Sequence, residues 1–183
     1  MNKFNDKKIL IAYFSREGGN YVSGRIVNLP VGNTEVVAKM IQKITGGELF
    51  RINTVKKYPD DYTEATKVAQ QELRDNARPE LSEYLDNIDD YEIIILCYPN
   101  WWGTMPMPVF TFLEKYDFTE KTIFPVCTHE GSGLGHSESD IRKTCPSARF
   151  EKGLAIKGSN VHSAHPEIEK WLQKFINNFE EEK

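Results

Sequence analysis

The sequence predicts an α/β protein built on an open, doubly wound parallel sheet with helices on both faces. Segments rich in β-branched and aromatic residues alternate along the chain with segments of helical periodicity. The most hydrophobic run, residues 91–99, has the unbroken apolar character of a strand covered on both faces. The length of 183 residues, with 39% hydrophobic and 27% charged residues, fits one domain over residues 1–183.

Five strands are predicted, at residues 8–14, 49–52, 91–99, 121–128 and 149–156. The first strand is a run of isoleucine, leucine and aromatic residues with little alternation, which indicates burial on both faces. The fourth contains Pro125, which has no N–H group to donate and is unusual inside a sheet. Because the strands alternate with helices, the crossovers are expected to be right-handed and the sheet parallel.

Five helices are predicted: from residue 34 to the glycines at 46–47, within 59–79, from Pro106 or Pro108 to 113, at 138–143, and at 166–179. In the first, Val37, Met40 and Ile41 fall on one helical stripe. The second opens with acidic residues, which favour a helix N-terminus, and its surface is largely polar. Residues 17–31 form a long connection without clear secondary structure.

Charge and cysteine content narrow the classes of function. The formal net charge is −4 and the lysines are scattered, which argues against a nucleic-acid partner. The 3 cysteines include no CxxC pair, which favours a reducing compartment over a disulfide framework. No segment approaches the roughly 20 apolar residues of a membrane span. We therefore expect a cytoplasmic protein without a membrane partner.

Three unusual loops follow predicted strands, at residues 15–34, 99–108 and 128–136. In open α/β sheets, ligands bind outside the carboxyl ends of the strands. In the first loop, Asn33 and Thr34 open a helix whose free N–H groups favour an anion, and Ser15 adds a hydroxyl. This set is suited to a phosphate monoester, and no GxxxxGK[ST] motif indicates a nucleoside triphosphatase. A helix cap beside a surface serine is the alternative interpretation.

The other two loops combine aromatic residues with glycines. Trp101 and Trp102 follow a buried strand directly, so one indole is expected to be displayed for a planar ligand and the other to act on stability. The third loop, residues 128–136, is glycine-rich, and its titratable groups His129 and Glu130 are candidates for the ligand edge or proton delivery. The run GHSES departs from a GxSxG nucleophile elbow, which disfavours a hydrolase.

Together, the runs ILIAYFSR, VGNTEVVAKMI, YPNWWGTMPMPVFTFLEK and CTHEGSGLGHSESDI resemble the flavodoxin-like FMN-binding family over nearly the whole chain. The resemblance implies a three-layer fold with a five-stranded parallel sheet in the order 2-1-3-4-5, and FMN as the cofactor. It also implies a phosphate loop whose two halves were separated by an insertion at residues 17–31. The implied cofactor-binding residues, which hold the flavin without a catalytic residue or a metal, are Ser15, Arg16, Gly32, Asn33, Thr34, Pro99, Asn100, Trp101, Trp102, Gly103, Thr128, His129, Glu130, Gly131, Ser132 and Gly133.

Two departures from electron-carrier flavodoxins bear on function. The third loop has no tyrosine to cover the outer flavin face, and the chain is only mildly acidic. Both features imply a more open flavin that exchanges electrons or hydride with NAD(P)H or a small electron acceptor. The insertion, which carries Tyr21 and several apolar residues, is expected to be an ordered flap near the FMN. A pure electron carrier that docks on a redox protein partner, and a flavin-binding sensing module, remain the alternatives.

Overall fold

The computed structural model of the chain describes residues 8–181, with side chains described through residue 175. Its main sheet consists of parallel strands, in the order β4-β1-β5-β6 and then β7 and β8, which both pair with β6. The strands are β1 (Ile9–Tyr13), β4 (Glu48–Arg51), β5 (Ile93–Pro99), β6 (Thr122–His129), β7 (Arg149–Phe150) and β8 (Leu154–Lys157). The predicted α/β class is confirmed.

The predicted fifth strand, residues 149–156, is wrong in one respect, because it is two short strands separated by residues 151–153. β7 pairs with the start of β6 up to Ile123, and β8 pairs with it again from Val126. Pro125 lies between these two paired stretches, opposite Leu96 of β5. The proline therefore sits where the neighbouring strand is interrupted, and its missing N–H leaves no gap in the β6–β8 ladder.

Helices cover both faces of the sheet. They are α1 (Asn33–Thr45), α2 (Tyr62–Arg74), α3 (Met107–Lys115), α4 (Ser137–Thr144) and α5 (His165–Glu181), with a short 3-10 helix at Gly158–Ser163. α1 ends at Gly46, whose φ of 74° allows its N–H to close the last turn on Gln42. α2 begins after Asp61, whose side chain accepts a bond from the N–H of Glu64.

The core has two halves, one on each face of the sheet. In β1, Ile9, Ile11 and Tyr13 pack in the cluster that includes α1 and α5. Leu10 and Ala12 point to the other face and pack in the cluster that includes α3 and α4. Alternate residues of one strand thus feed opposite cores, as expected for a sheet between two helical layers. Among residues 8–181, no helix has both the length and the apolar character needed to cross a bilayer.

The insertion at residues 17–31 is a β-hairpin, which corrects the prediction that it lacks secondary structure. β2 (Gly18–Val22) and β3 (Arg25–Leu29) pair antiparallel in a separate two-stranded sheet. Ser23 and Gly24 form its two-residue turn, with φ values of 48° and 89°, the left-handed pair that matches the twist of a hairpin. We call the segment Gly18–Leu29 the flap. The prediction of an ordered element at this position is confirmed.

Candidate functional site

A cavity of about 510 Å³ lies at the carboxyl ends of β1, β5 and β6. Its size is within the range of ligand and cofactor pockets. All three predicted loops contribute to its wall, through Ser15, Arg16, Asn33, Thr34, Pro99, Asn100, Trp101, Trp102, Gly103, Thr128, His129, Glu130 and Ser132. The predicted residues Gly32, Gly131 and Gly133 are outside this lining set. The structure therefore brings together most of the residues predicted from the sequence.

Hydroxyl groups and first-turn N–H groups converge at the α1 end of the cavity. The Ser15 hydroxyl accepts a hydrogen bond from the N–H of Glu35 at 3.0 Å, so Ser15 caps α1 from the end of β1. Its proton remains available to a ligand. The first-turn N–H groups of Asn33 and Thr34 have no intrahelical acceptor. The Thr34 hydroxyl meets that of Thr128 at 2.7 Å, which joins the first loop to the third.

Position 32 requires a glycine because a side chain would not fit there, and not because of its backbone angles. Its φ of −66° and ψ of 150° are open to any residue. A Cβ atom at this position would lie 2.2 Å from the Ser15 hydroxyl oxygen and 2.5 Å from the carbonyl oxygen of Arg16. The two halves of the loop are therefore in direct contact, although the flap separates them in sequence.

Arg16, which the resemblance implies as a cofactor-binding residue, lines the cavity, and its guanidinium is hydrogen-bonded within the protein. It donates to the carbonyl oxygens of Pro59 and Asp60, both at 2.8 Å, and also to that of Gly19. Burial lowers the pKa of Arg16, and the nearby carboxylates of Asp60 and Asp61 oppose that shift. The side chain thus fixes the base of the flap to the segment that leads into α2. The sequence could not show this, because the carbonyls of Pro59 and Asp60 lie 43 and 44 positions away from Arg16.

The second loop contains a tight turn that sends its two indoles in different directions. Trp101 and Thr104 exchange backbone hydrogen bonds of 2.8 and 3.3 Å, and Trp102 has the left-handed φ of 55° that few bulky residues adopt. Trp101 packs edge-on against the rings of Phe14 and Tyr58, at 5.2 and 5.1 Å between centroids. Trp102 is 49% exposed, and its indole N–H donates to the carbonyl of Thr66 at 3.1 Å.

The two indoles should therefore separate in their effects when each is replaced by alanine. Trp101→Ala should lower the free energy of unfolding by roughly 3 kcal/mol, because it removes a ring packed between two others. Trp102→Ala should leave stability nearly unchanged and weaken flavin binding by roughly 1–3 kcal/mol. Urea unfolding and flavin titration of both variants measure the two quantities. Equal losses of stability would contradict this division of roles.

Asn100 and two glycines hold the second loop against the third. The Asn100 amide donates to the carbonyl of Gly133 at 2.8 Å, and its side-chain oxygen accepts from the N–H of Gly103 at 3.0 Å. A Cβ atom on Gly135, whose φ is 56°, would lie 2.1 Å from the carbonyl oxygen of Gly103. In the same loop, His129 Nδ1 accepts from the N–H of Gly131 at 2.9 Å, and burial lowers the pKa of this histidine.

The flap and α2 supply further cavity residues. Tyr21 lies on the segment that the sequence analysis placed near the ligand, and the residues that the analysis missed are Asn20, Tyr62, Ala65, Thr66, Ala69 and Gly158. The Tyr21 and Tyr62 rings stack at 6.3 Å between centroids. At the far end of the flap, the N–H of Ser23 donates to the Glu130 carboxylate at 3.2 Å. The flap therefore reaches from α2 to the third loop. The i, i+3, i+4, i+7 spacing from Tyr62 to Ala69 was the pattern that could have identified this wall.

Fold and cavity define an α/β protein whose ligand site lies at the carboxyl edge of a doubly wound sheet. A family model described as flavodoxin matches residues 8–175. The chain therefore belongs to the flavodoxin family, and the family prediction is confirmed. Comparison of the sequence with curated proteins finds no match.

Solved structures of flavoproteins share this fold. A candidate flavoprotein from Bacteroides eggerthii DSM 20697 is 26% identical, with a TM-score of 0.69 over 89% of this chain and 98% of that chain. Another, from Bacteroides uniformis ATCC 8492, is 25% identical, with a TM-score of 0.68 over the same shares. A flavoprotein from Lactobacillus acidophilus NCFM, in complex with FMN, is 23% identical, with a TM-score of 0.63 over 90% of this chain and 98% of that chain.

Proposed function

We propose that the chain is an FMN-dependent oxidoreductase whose bound flavin exchanges electrons or hydride with NAD(P)H or another small acceptor. Membership of the flavodoxin family and the FMN complex of the similar Lactobacillus acidophilus protein support the cofactor. When bound, FMN supplies the redox chemistry, and the protein supplies binding, orientation and electrostatics. The residues of this chain would hold the flavin in place and set its electrostatic environment.

The donor set at the α1 end of the cavity fits a phosphate monoester. Ser15, Asn33 and Thr34 all line the cavity at the N-terminus of α1, where the helix dipole also favours negative charge. The aromatic and backbone groups of the second and third loops fit a flat, partly polar ring. The hydrogen bond that the Asn100 amide donates to the carbonyl of Gly133 joins these two loops, and the bond that its side-chain oxygen accepts from Gly103 holds the turn of the second loop.

The flap is the observation that favours a small reaction partner over a protein partner. It bridges α2 and the third loop, through the Tyr21–Tyr62 contact at one side and the Ser23–Glu130 hydrogen bond at the other. Asn20 and Tyr21 of the flap line the cavity, so a protein partner would have to dock against the flap, whereas a small molecule can enter beside it. An enzyme also gains from such a cover, because it excludes water from the reacting groups.

The absorbance of the bound flavin under anaerobic conditions tests this proposal. Addition of NADH or NADPH alone should bleach the flavin within seconds, and a small acceptor should restore its colour. If bleaching requires a separate reductase protein, the chain is an electron carrier. If no electron donor changes the flavin spectrum, a sensing module is the better interpretation.

Phosphate recognition makes a further prediction about ligand choice. The apoprotein should bind about one FMN per chain and should prefer FMN to riboflavin by about tenfold or more, since charge-assisted hydrogen bonds to a phosphate are each worth about 1.5–3 kcal/mol. FAD should also bind more weakly, because a bridging pyrophosphate replaces the terminal monoester. Titration calorimetry with the three flavins measures this order. Equal affinity for riboflavin and FMN would contradict a phosphate site at Ser15 and Asn33.

A further inference from the structure

We propose that Glu130 couples the flap to the bound flavin, with one carboxylate oxygen holding the flap tip and the other accepting a hydrogen bond from the ligand. This inference rests on the proposed function, because it takes the ligand of the cavity to be FMN. It assigns to Glu130 a role in which flap closure and ligand retention depend on the same side chain.

The first observation is the contact at the flap tip. Glu130 Oε2 accepts a hydrogen bond from the backbone N–H of Ser23 at 3.2 Å, across 107 positions of the sequence. Ser23 is the first residue of the left-handed turn, so its N–H projects from the very end of the hairpin. The base of the flap is fixed separately, through the N–H of Gly19 on the carbonyl of Asp60 at 2.9 Å.

The second observation is the other oxygen of the same carboxylate. Glu130 Oε1 is buried, and within the described part of the chain it has no hydrogen-bond partner. A buried carboxylate oxygen without a donor is costly, and such atoms are usually satisfied by a ligand or an ordered water. Since Glu130 lines the cavity, a ligand there is placed to supply the missing donor.

Gly158 and Asn33 locate this oxygen relative to the phosphate end of the cavity. A Cβ atom on Gly158 would lie 2.6 Å from Glu130 Oε1 and 2.5 Å from Asn33 Nδ2. The carboxylate and the first residue of α1 therefore meet at the same glycine, which leaves room for no larger side chain. A ligand whose phosphate is held by the first turn of α1 would carry the groups next to that phosphate past Glu130, and in FMN those groups are hydroxyls.

These contacts couple ligand binding to flap closure, so that each favours the other. A ligand donor on Oε1 fixes the carboxylate in the orientation that presents Oε2 to Ser23. By linkage, closure of the flap must raise ligand affinity by the same factor by which the ligand favours closure. The carboxylate has two acceptor atoms and can satisfy both partners at once. A carboxamide of the same shape can accept from Ser23 and donate to a ligand hydroxyl, but both hydrogen bonds are then neutral and weaker than those of the carboxylate.

The experiment is a double-mutant cycle between Glu130 and the flap, read by FMN titration of the apoprotein. Glu130→Gln and Glu130→Ala are each made in the full chain and in a variant lacking residues 18–30. In the full chain, Glu130→Ala should raise the Kd for FMN about fiftyfold or more, because it removes both a hydrogen bond to the ligand and the coupling to the flap. In the shortened chain, Glu130→Ala should raise it only about tenfold, the scale of one hydrogen bond to a charged group. Glu130→Gln should raise the Kd less than Glu130→Ala in each chain, because a carboxamide can still form a neutral hydrogen bond with a hydroxyl group.

Amide hydrogen exchange at Ser23, measured by NMR, provides the second readout. FMN should slow exchange of this amide at least about fivefold in the full chain, and Glu130→Ala should remove that protection. Glu120→Gln removes the same charge from the opposite end of β6 and should change neither Kd nor exchange. If the shortened chain does not fold, the Ser23 measurement and the full-chain titrations still decide the matter.

Two outcomes would overturn the inference. An unchanged Kd for Glu130→Ala would show that Oε1 does not serve the ligand, and Ser23 exchange that is indifferent to FMN would show that no coupling exists. These two outcomes can be distinguished from an error in the proposed function itself. If the proposed function is wrong, the wild-type protein will take up no FMN. In that case the Ser23 exchange of the apoprotein, compared with Glu130→Ala, still tests whether the carboxylate holds the flap.

Discussion

Replacing Gly32 with alanine should abolish most of the affinity for FMN and lower the free energy of unfolding by about 3 kcal/mol. The added methyl group would lie 2.2 Å from the Ser15 oxygen and 2.5 Å from the Arg16 carbonyl oxygen. One of these neighbours is backbone and neither is the flexible end of a long side chain, so the loop itself must move. Such a movement withdraws the Ser15 hydroxyl from the N–H of Glu35 and displaces the first turn of α1.

FMN titration and urea unfolding of Gly32→Ala measure the two effects, and we expect the Kd to rise at least about 100-fold. Gly47→Ala is a matched control, because its Cβ would lie 3.0 Å from a side-chain atom of Ile9, beside the amino end of β1. This control should lose some stability and keep its preference for FMN over riboflavin. Wild-type FMN affinity in Gly32→Ala would contradict the assignment of this loop to the phosphate.

Removal of residues 18–30 should leave FMN binding measurable while changing turnover with small acceptors about tenfold or more, the scale on which water exclusion and positioning of reactants affect rates. The structure makes this deletion feasible, because Gly18 and Leu29 are paired and Gly32 contacts Arg16 directly. The phosphate-binding groups of Ser15, Asn33 and Thr34 lie outside the deleted segment. What is lost is the cover over the cavity, including the stacked ring of Tyr21.

Steady-state kinetics with several small acceptors, and the oxygen reactivity of the reduced protein, report on that cover. Tyr21→Ala, which keeps the hairpin and removes one ring, should give an intermediate change. A shortened protein with wild-type kinetics for every acceptor would assign the flap no part in the reaction. Complete loss of FMN binding would instead indicate that the flap itself forms part of the cofactor site.

The sequence was sufficient for the fold because the strands are unusually clear. The runs at β1 and β5 are almost entirely apolar, and the glycine at position 46 ends α1 where the pattern predicts. The division of residues 149–157 into two strands could not be predicted from such local patterns. Its interruption coincides with Pro125 on the neighbouring strand, and pairing between strands is a long-range property.

The sequence predicted each of the three loops of the candidate site. It did not predict the contacts that join one loop to another. Nothing local to Arg16 indicates that its guanidinium will find the carbonyl of Pro59, and nothing local to Ser23 indicates Glu130. An ordered flap was predicted, but its hairpin structure was missed for a different reason. Its strand β2 begins with two glycines and an asparagine, residues of low β-propensity, and the hairpin is recognisable mainly by the Ser23–Gly24 turn.

The short outer strands of the sheet bear on how the protein behaves at high concentration. An edge strand exposes unpaired N–H and C=O groups that can recruit another chain, and the risk grows with the length of the uninterrupted edge. Here one edge is β4, with 4 residues, and the other is divided between β7, with 2 residues, and β8, with 4. The interruption opposite Pro125 thus does more than accommodate a proline. It divides the edge beside β6, the longest strand of the sheet, into pieces too short to template edge-to-edge aggregation.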